Sequence, residues 1–115
     1  MKRQKLLFVC TANKHRSPTA ALMFRDHYGY ETLSAGFSPD SQQVVDQELV
    51  DWADKVFCFE SKQKKKLKKR FGVRAVNLAV PDEYDFNEPD LVEVLREKVP
   101  HFLDNVPEHY RSTGL

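Results

Sequence analysis

The sequence predicts a three-layer α/β/α fold, with helices on both faces of a doubly wound, four-stranded parallel sheet. Two kinds of observation carry this. Residues 6–9 and 55–59 are apolar runs too short for globular helices, the pattern of strands buried on both faces. Segments with helical character alternate with the strands, and that alternation implies parallel strands joined by right-handed crossovers. Length and composition agree: 115 residues, 41% of them hydrophobic, suit one domain with one core. No internal repeat or linker divides residues 1–115.

The elements follow in order. The first strand ends at Cys10, and a polar loop leads from it to Ser17-Pro18. Serine is a preferred N-cap and proline suits the first helical position. Residues 19–28 read as a helix, apolar over more than one face through Ala20–Phe24 and stopped by Gly29. Residues 30–34 form a short second strand ended by Ala35-Gly36, and 37–43 form a polar loop. Val45, Leu49 and Trp52 recur at helical spacing, which places a second helix over 44–52. The third strand, 55–59, exits through Glu60 to Ser61, a suitable cap for a helix over 62–71 that stops at Gly72. A fourth strand lies within 73–80, centred on 75–78, and an irregular acidic loop over 81–87 follows. Pro89 starts a last helix through Val99, Pro100 interrupts it, and Phe102, Leu103 and Val106 extend an amphipathic turn beyond.

Composition excludes several classes. Formal net charge is +1, so bulk charge names no partner. No run is long and apolar enough to cross a membrane. The basic start Met1-Lys2-Arg3-Gln4-Lys5 precedes an apolar run that ends at Val9, too short for a signal-peptide core. Two cysteines do not make a disulfide framework, and a free thiol nucleophile needs a reducing compartment, so a cytoplasmic location is expected. His27, His101 and His109 have no metal-ligand spacing, and neither a metal nor a cofactor is expected.

The loop over 10–18 carries the chemistry. Strand, tight loop and helix start point several backbone N–H groups and a helix N-terminus into one small bowl, an arrangement that binds phosphate. Cys10 sits at its floor, where those dipoles favour an anionic sulfur. Arg16, at the far end, offers a planar fork to two oxygens of a tetrahedral oxyanion. An arginine near a helix start opposes the helix dipole unless an anion binds there. Asn13 tolerates the left-handed backbone that a tight anion loop requires. Ser17 serves as N-cap, as a hydroxyl donor to the sulfur, or as both. Thr11, Ala12, Lys14 and His15 supply backbone N–H groups, and Lys14 and His15 add positive potential. A thiolate below a bound phosphate is the arrangement for nucleophilic phosphoryl transfer. Because Cys10 ends the first strand, it lies on the carboxyl edge of the sheet, where such folds bind ligands.

This loop resembles the active-site loop of the low-molecular-weight protein tyrosine phosphatases, in which Cys, five residues, Arg, Ser and Pro follow the first strand. Asn13, three residues after Cys10, matches as well. Ser34-Ala35-Gly36, residues 54–61, and Asp82-Glu83-Tyr84 with Asp90-Leu91 downstream are similar to later segments of that family, so the likeness runs over most of the chain. The resemblance implies the phosphotyrosine phosphatase I-like (flavodoxin-like) fold, with 1–115 as one such domain. It also implies a phosphocysteine on Cys10, phosphate held by Arg16, and Asp82 as general acid, with Asp85 as runner-up. Tyr84 and Phe37 would wall the pocket against an aromatic leaving group, which favours phosphotyrosine in a protein, or a small phosphate monoester, as substrate. Departures are specific: His15 stands where a second cysteine is usual, Pro81 precedes the acid instead of following it, and the chain is shorter.

Two other readings compete. An arsenate reductase would use the same anion loop, but a thiol relay would have to rely on Cys58, which lies within an apolar strand. A non-catalytic phosphate- or nucleic-acid-binding module would draw on residues 62–70, which hold seven of the eighteen basic residues and leave the remainder of the chain at −6. That run reads either as a solvated helix face or as a docking patch for an acidic partner or nucleic acid. It lacks the interleaved aromatics that stack bases, which argues against nucleic acid. Leu67 and Phe71 supply its inward stripe.

Overall fold

In the computed structural model, which describes residues 4–26 and 28–103, four parallel strands alternate with four helices. They are β1 (Lys5–Cys10), α1 (Arg16–Asp26), β2 (Glu31–Gly36), α2 (Gln47–Trp52), β3 (Lys55–Cys58), α3 (Ser61–Phe71), β4 (Val76–Asn77) and α4 (Pro89–Lys98). The expected fold class is the one observed. Strand order is β2-β1-β3-β4, so the winding reverses between β1 and β3. The carboxyl ends of those two strands flank the switch point where such sheets bind ligands.

Register sorts the side chains between two cores. Leu7 pairs with Leu33 and Val56, and Phe8 with Ser34 and Phe57. Because strand side chains alternate with period two, Leu6, Phe8, Cys10, Phe57 and Phe59 share one face, packed against Phe24 of α1 and Leu91 and Leu95 of α4. Leu7, Val9, Val56 and Cys58 take the other face, against Val50 of α2 and Leu67 of α3. The Phe8 ring stacks on Phe57 with centroids 5.1 Å apart and lies 6.1 Å from that of Phe24. Each such fully buried side chain contributes roughly 2 kcal/mol by leaving water.

Several boundaries differ from expectation, each for a tertiary reason. α1 begins at Arg16, and the Thr19 N–H donates to the His15 carbonyl, so Ser17 lies inside the first turn and is not the cap. Val44 and Val45 do not join α2. They run beside the end of β2, where the Gly36 N–H donates to the Gln43 carbonyl and the Val45 N–H to the Gly36 carbonyl. α2 then starts after Asp46, whose carboxylate caps the Leu49 N–H at 2.9 Å. α3 includes Ser61, whose hydroxyl accepts from Asn77 instead of capping the helix. β4 keeps only two ladder residues, because Ala79 turns left-handed (φ +54°). The Leu78 and Val80 N–H groups still reach the Cys58 and Phe59 carbonyls. Gly29 and Gly72 end α1 and α3 at φ +77° and +68°, and Pro100 converts the end of α4 into a 3₁₀ turn, Val99–Phe102. His27, Val106 and His109 lie outside the described residues.

Candidate active site

The loop after β1 closes over Cys10. Asn13 adopts φ +54°, the left-handed conformation expected of it, and this turns its backbone N–H onto Cys10 Sγ at 3.1 Å. Ser17 Oγ lies 2.9 Å from the same sulfur and 2.8 Å from Asn13 Oδ1. A hydroxyl has one proton, and this geometry gives it three acceptors, the third being the Ala35 carbonyl at 3.4 Å. With Cys10 as thiol, S–H can donate to Ser17 while Ser17 donates to Asn13. With Cys10 as thiolate, the sulfur only accepts, and Ser17 turns to it. The hydroxyl thus follows the charge on sulfur while both side chains stay in place.

β2 supports the loop from one side. The Phe37 N–H donates to the Cys10 carbonyl at 3.2 Å and the Ser38 N–H to the Thr11 carbonyl at 2.8 Å. This approach needs Gly36: a Cβ there would collide with the Ser41 hydroxyl and lie 2.9 Å from both Asn13 N and Thr11 O. α3 supports the other side. Buried Gln63 accepts from the Phe59 N–H at 2.8 Å and donates to Thr11 Oγ1 at 3.2 Å.

Arg16 is 2% exposed, and a buried guanidinium requires partners. Nη1 donates to the Val80 carbonyl at 2.8 Å, Nη2 meets Glu60 Oε2 at 2.8 Å, and the guanidinium lies 5.5 Å from the Phe59 ring centroid. Nε lies 3.8 Å from Asp82 Oδ1. Glu60 therefore supplies the anion that a cation in the first turn of α1 calls for. Val80 and Glu60 orient the fork and leave the Nε side toward the bowl.

Cys10, Ala12, Lys14, His15, Arg16 and Asp82 line one cavity of about 140 Å³. Asp82 is mostly exposed. Asp85 lines no part of this cavity; its backbone N–H and carbonyl close the turn with Glu88 before α4. The Asn87 N–H donates to Thr19 Oγ1 at 2.8 Å, which ties this acidic loop back to α1. Tyr84 is half-buried against the core beside α4 and is not among the cavity residues. Phe37 packs against the opposite core, with Lys66 and Arg70 over its ring. Phe86 is the exposed aromatic nearby. With Asp40 and Gln42 it lines a second depression that shares Ala12, Lys14 and His15 with the first.

Glu60 and Gln63 are absent from the sequence-derived site, and both touch it. Their signals were available. Glu60 is an acid directly after a strand that ends on the edge carrying Cys10. Gln63 stands four residues before Leu67 and so completes the buried stripe of α3. Among the described residues no group of His, Cys, Asp or Glu could hold a metal ion, and no helix is long and apolar enough to cross a membrane.

No protein-family profile and no curated protein sequence matches the chain. Solved structures do. The YwlE arginine phosphatase from Geobacillus stearothermophilus is 28% identical, with a TM-score of 0.56 over 81% of each chain. The low-molecular-weight protein tyrosine phosphatase from T. tengcongensis superposes with a TM-score of 0.69 at 20% identity, over 87% of this chain and 99% of that one. The tyrosine phosphatase Wzb from Escherichia coli K30, in complex with sulphate, reaches 0.70 at 13% identity, over 87% and 96%. In its sheet order, its Cys10–Pro18 loop and these structural likenesses, the chain has the fold of the low-molecular-weight protein tyrosine phosphatases.

Proposed function

We propose that this protein hydrolyses phosphate monoesters, phosphotyrosine in proteins foremost, through a covalent phosphocysteine on Cys10. The observation that carries the proposal is the environment of one sulfur. Cys10 Sγ faces the Asn13 N–H and the Ser17 hydroxyl in a cavity shared with Arg16 and Asp82. In the first step the sulfur attacks phosphorus and an S–P bond forms as the ester P–O bond breaks. The Nε side of Arg16 and the loop amides of 11–16 hold the equatorial oxygens, whose charge is greatest in the transition state. Asp82 gives its proton to the departing oxygen. Water then attacks phosphorus, the Asp82 carboxylate takes the water proton, and the S–P bond breaks to release inorganic phosphate. Ser17 donates to the sulfur whenever that sulfur carries charge, as nucleophile and as leaving group.

Two further features support the roles. Asp82 faces Arg16 Nε at 3.8 Å, whereas Asp85 is engaged in the turn before α4, which favours Asp82 as the acid. Cys58 lies on the opposite face of the sheet from Cys10, which disfavours a thiol relay and hence that form of arsenate reduction. A working free thiol fits a reducing compartment such as the cytoplasm. The likeness to an arginine phosphatase favours one second reading: the same attack on phosphorus with a P–N bond breaking in place of P–O.

The test is hydrolysis of an aryl phosphate, a phosphotyrosine peptide and a phosphoarginine peptide by wild type and two variants. Cys10→Ser is expected to lose turnover yet bind vanadate, because the amide bowl and Arg16 remain. Arg16→Lys is expected to lose both, since an ammonium lacks the two-point fork. Substantial turnover by Cys10→Ser would end the covalent mechanism, and preference for the phosphoarginine peptide would move the substrate to the second reading.

A further inference from the structure

Among the described residues the densest run of cations lies on α3, and the chemistry above does not use it. Seven lysines and arginines occur between Lys62 and Arg70, all of them exposed, and the helix holds no acid. Local physics works against this arrangement. The cations in its first turns sit at the positive end of the helix dipole. Lys62/Lys66, Lys64/Lys68, Lys65/Lys69 and Lys66/Arg70 are like-charged neighbours one turn apart, which destabilise a helix. Glu60 touches Lys62 at 3.7 Å, but its other oxygen is engaged with Arg16. A merely solvated face carries mixed charges, as α4 does with its Arg96–Glu93 pair. Where local rules are broken without local compensation, a functional surface is the expected reason.

The cations are not equivalent. Lys66 and Arg70 lie over the Phe37 ring, at 5.2 and 5.7 Å from its centroid. On the other flank, Lys64, Lys65, Lys68 and Lys69 line a groove of about 610 Å³ with Val73 and Arg74. Ser61 closes the end of this groove at the first turn of α3. That same turn holds the active-site loop, through Glu60 on Arg16 and Gln63 on Thr11. One end of the groove therefore lies at the turn that supports the loop from behind, and no residue lines both groove and bowl.

We infer that this groove docks an acidic segment of the phosphoprotein substrate, outside the bowl that holds the phosphate. The inference rests on the phosphatase reading above. Five cations and one apolar residue match a chain of carboxylates whose methylenes cross Val73. Eleven helical residues span about 16 Å, the reach of about five residues of extended peptide. Nucleic acid fits less well. Phe71 packs against the core and Phe37 lies beneath two cations, so the groove has no aromatic platform for bases.

The test compares wild type with the variant Lys64→Gln/Lys65→Gln/Lys68→Gln/Lys69→Gln on three substrates: p-nitrophenyl phosphate, a phosphotyrosine peptide flanked by glutamates, and the same peptide flanked by serines. Wild type is expected to prefer the acidic peptide, with a preference that falls as salt rises. The variant is expected to lose roughly 10–100-fold in kcat/KM on the acidic peptide alone. Its turnover of p-nitrophenyl phosphate stays at the wild-type level. Its Tm stays level or rises at low salt, because like charges have been removed, so misfolding cannot imitate the result. Binding of the unphosphorylated acidic peptide, read by fluorescence anisotropy, is expected to weaken in parallel. Equal handling of both peptides by wild type and variant overturns the proposal, and so does tighter groove-dependent binding of a DNA oligonucleotide than of the acidic peptide. If wild type hydrolyses none of the three esters yet binds the acidic peptide through these lysines, the groove stands and the phosphatase reading falls.

Discussion

Cys10 and Cys58 end the two central strands, and both are buried free thiols, yet their surroundings are opposites. Pairing of Phe8 with Phe57 puts Cys10 on the face covered by α1 and α4, and Cys58 on the face covered by α2 and α3. Cys10 meets an amide N–H and a hydroxyl. Cys58 meets hydrocarbon, with the Glu60 carbonyl 3.7 Å away as acceptor for its S–H. Burial pushes the Cys58 thiol up to about 11, against a lowering by the hydrogen bond to Glu60. Burial among hydrocarbon keeps Cys58 a thiol, whereas the donors aimed at Cys10 are what the proposed nucleophile requires. One residue of register separates the two outcomes, because each step along a strand changes the face.

The largest expected effect is on turnover. Cys10→Ser should lower kcat by about 10⁴-fold or more, as removal of a nucleophile does. Cys58→Ala should leave kcat/KM within twofold, roughly, and cost about 1 kcal/mol in urea unfolding for the lost packing. A comparable fall in both variants would dissolve the contrast. Asp82 belongs to the Cys10 side of the comparison. Asp82→Asn should slow esters with poor leaving groups by about 10²–10⁴-fold and activated esters much less. A collapse in Asp85→Asn, with Asp82→Asn unaffected, would transfer the acid role.

Chemical reactivity sharpens the contrast at smaller amplitude. Iodoacetamide near pH 8 should label Cys10 and spare Cys58, with phosphate protecting Cys10. Excess peroxide should carry Cys10 past the sulfenic stage, since His15 cannot trap it and Cys58 faces away across the sheet. A Cys10–Cys58 disulfide in the mass spectrum would contradict the register. The pH dependence of stability has a definite sign. The folded state keeps Cys58 protonated beyond its ordinary value of 9.0, so its contribution is complete below pH 9 and is lost as pH rises toward 11. Cys58→Ala should remove that part of the alkaline decline, measured as ΔG in urea across the window. The smallest expected change is Ala79→Gly. A left-handed alanine (φ +54°) is strained, and glycine there should add about 1 kcal/mol of stability without altering turnover.

Much of this molecule is determined by neighbours in sequence. The apolar run before Cys10, the Asn13 turn, Gly29, Gly72 and Pro100 act through local sterics and local hydrogen bonds, and each appears where the residues predict. Other features needed partners distant in the chain. Val45 has helical spacing with Leu49 and Trp52 but stays extended beside β2, its N–H on the Gly36 carbonyl, because the ladder groups at the end of β2 are within reach. Ser17 has the chemistry of an N-cap but turns to Cys10, because the loop brings a sulfur and an amide oxygen to its hydroxyl. Glu60 reads as a strand exit until Arg16, forty-four residues earlier, arrives as a buried cation that requires an anion. Tyr84, expected at the pocket wall, is partly buried against the core formed by α1, α4 and the sheet. Propensity and spacing specify which groups are available. Which group meets which depends on sheet order and register, and those follow from burying both faces of the sheet at once.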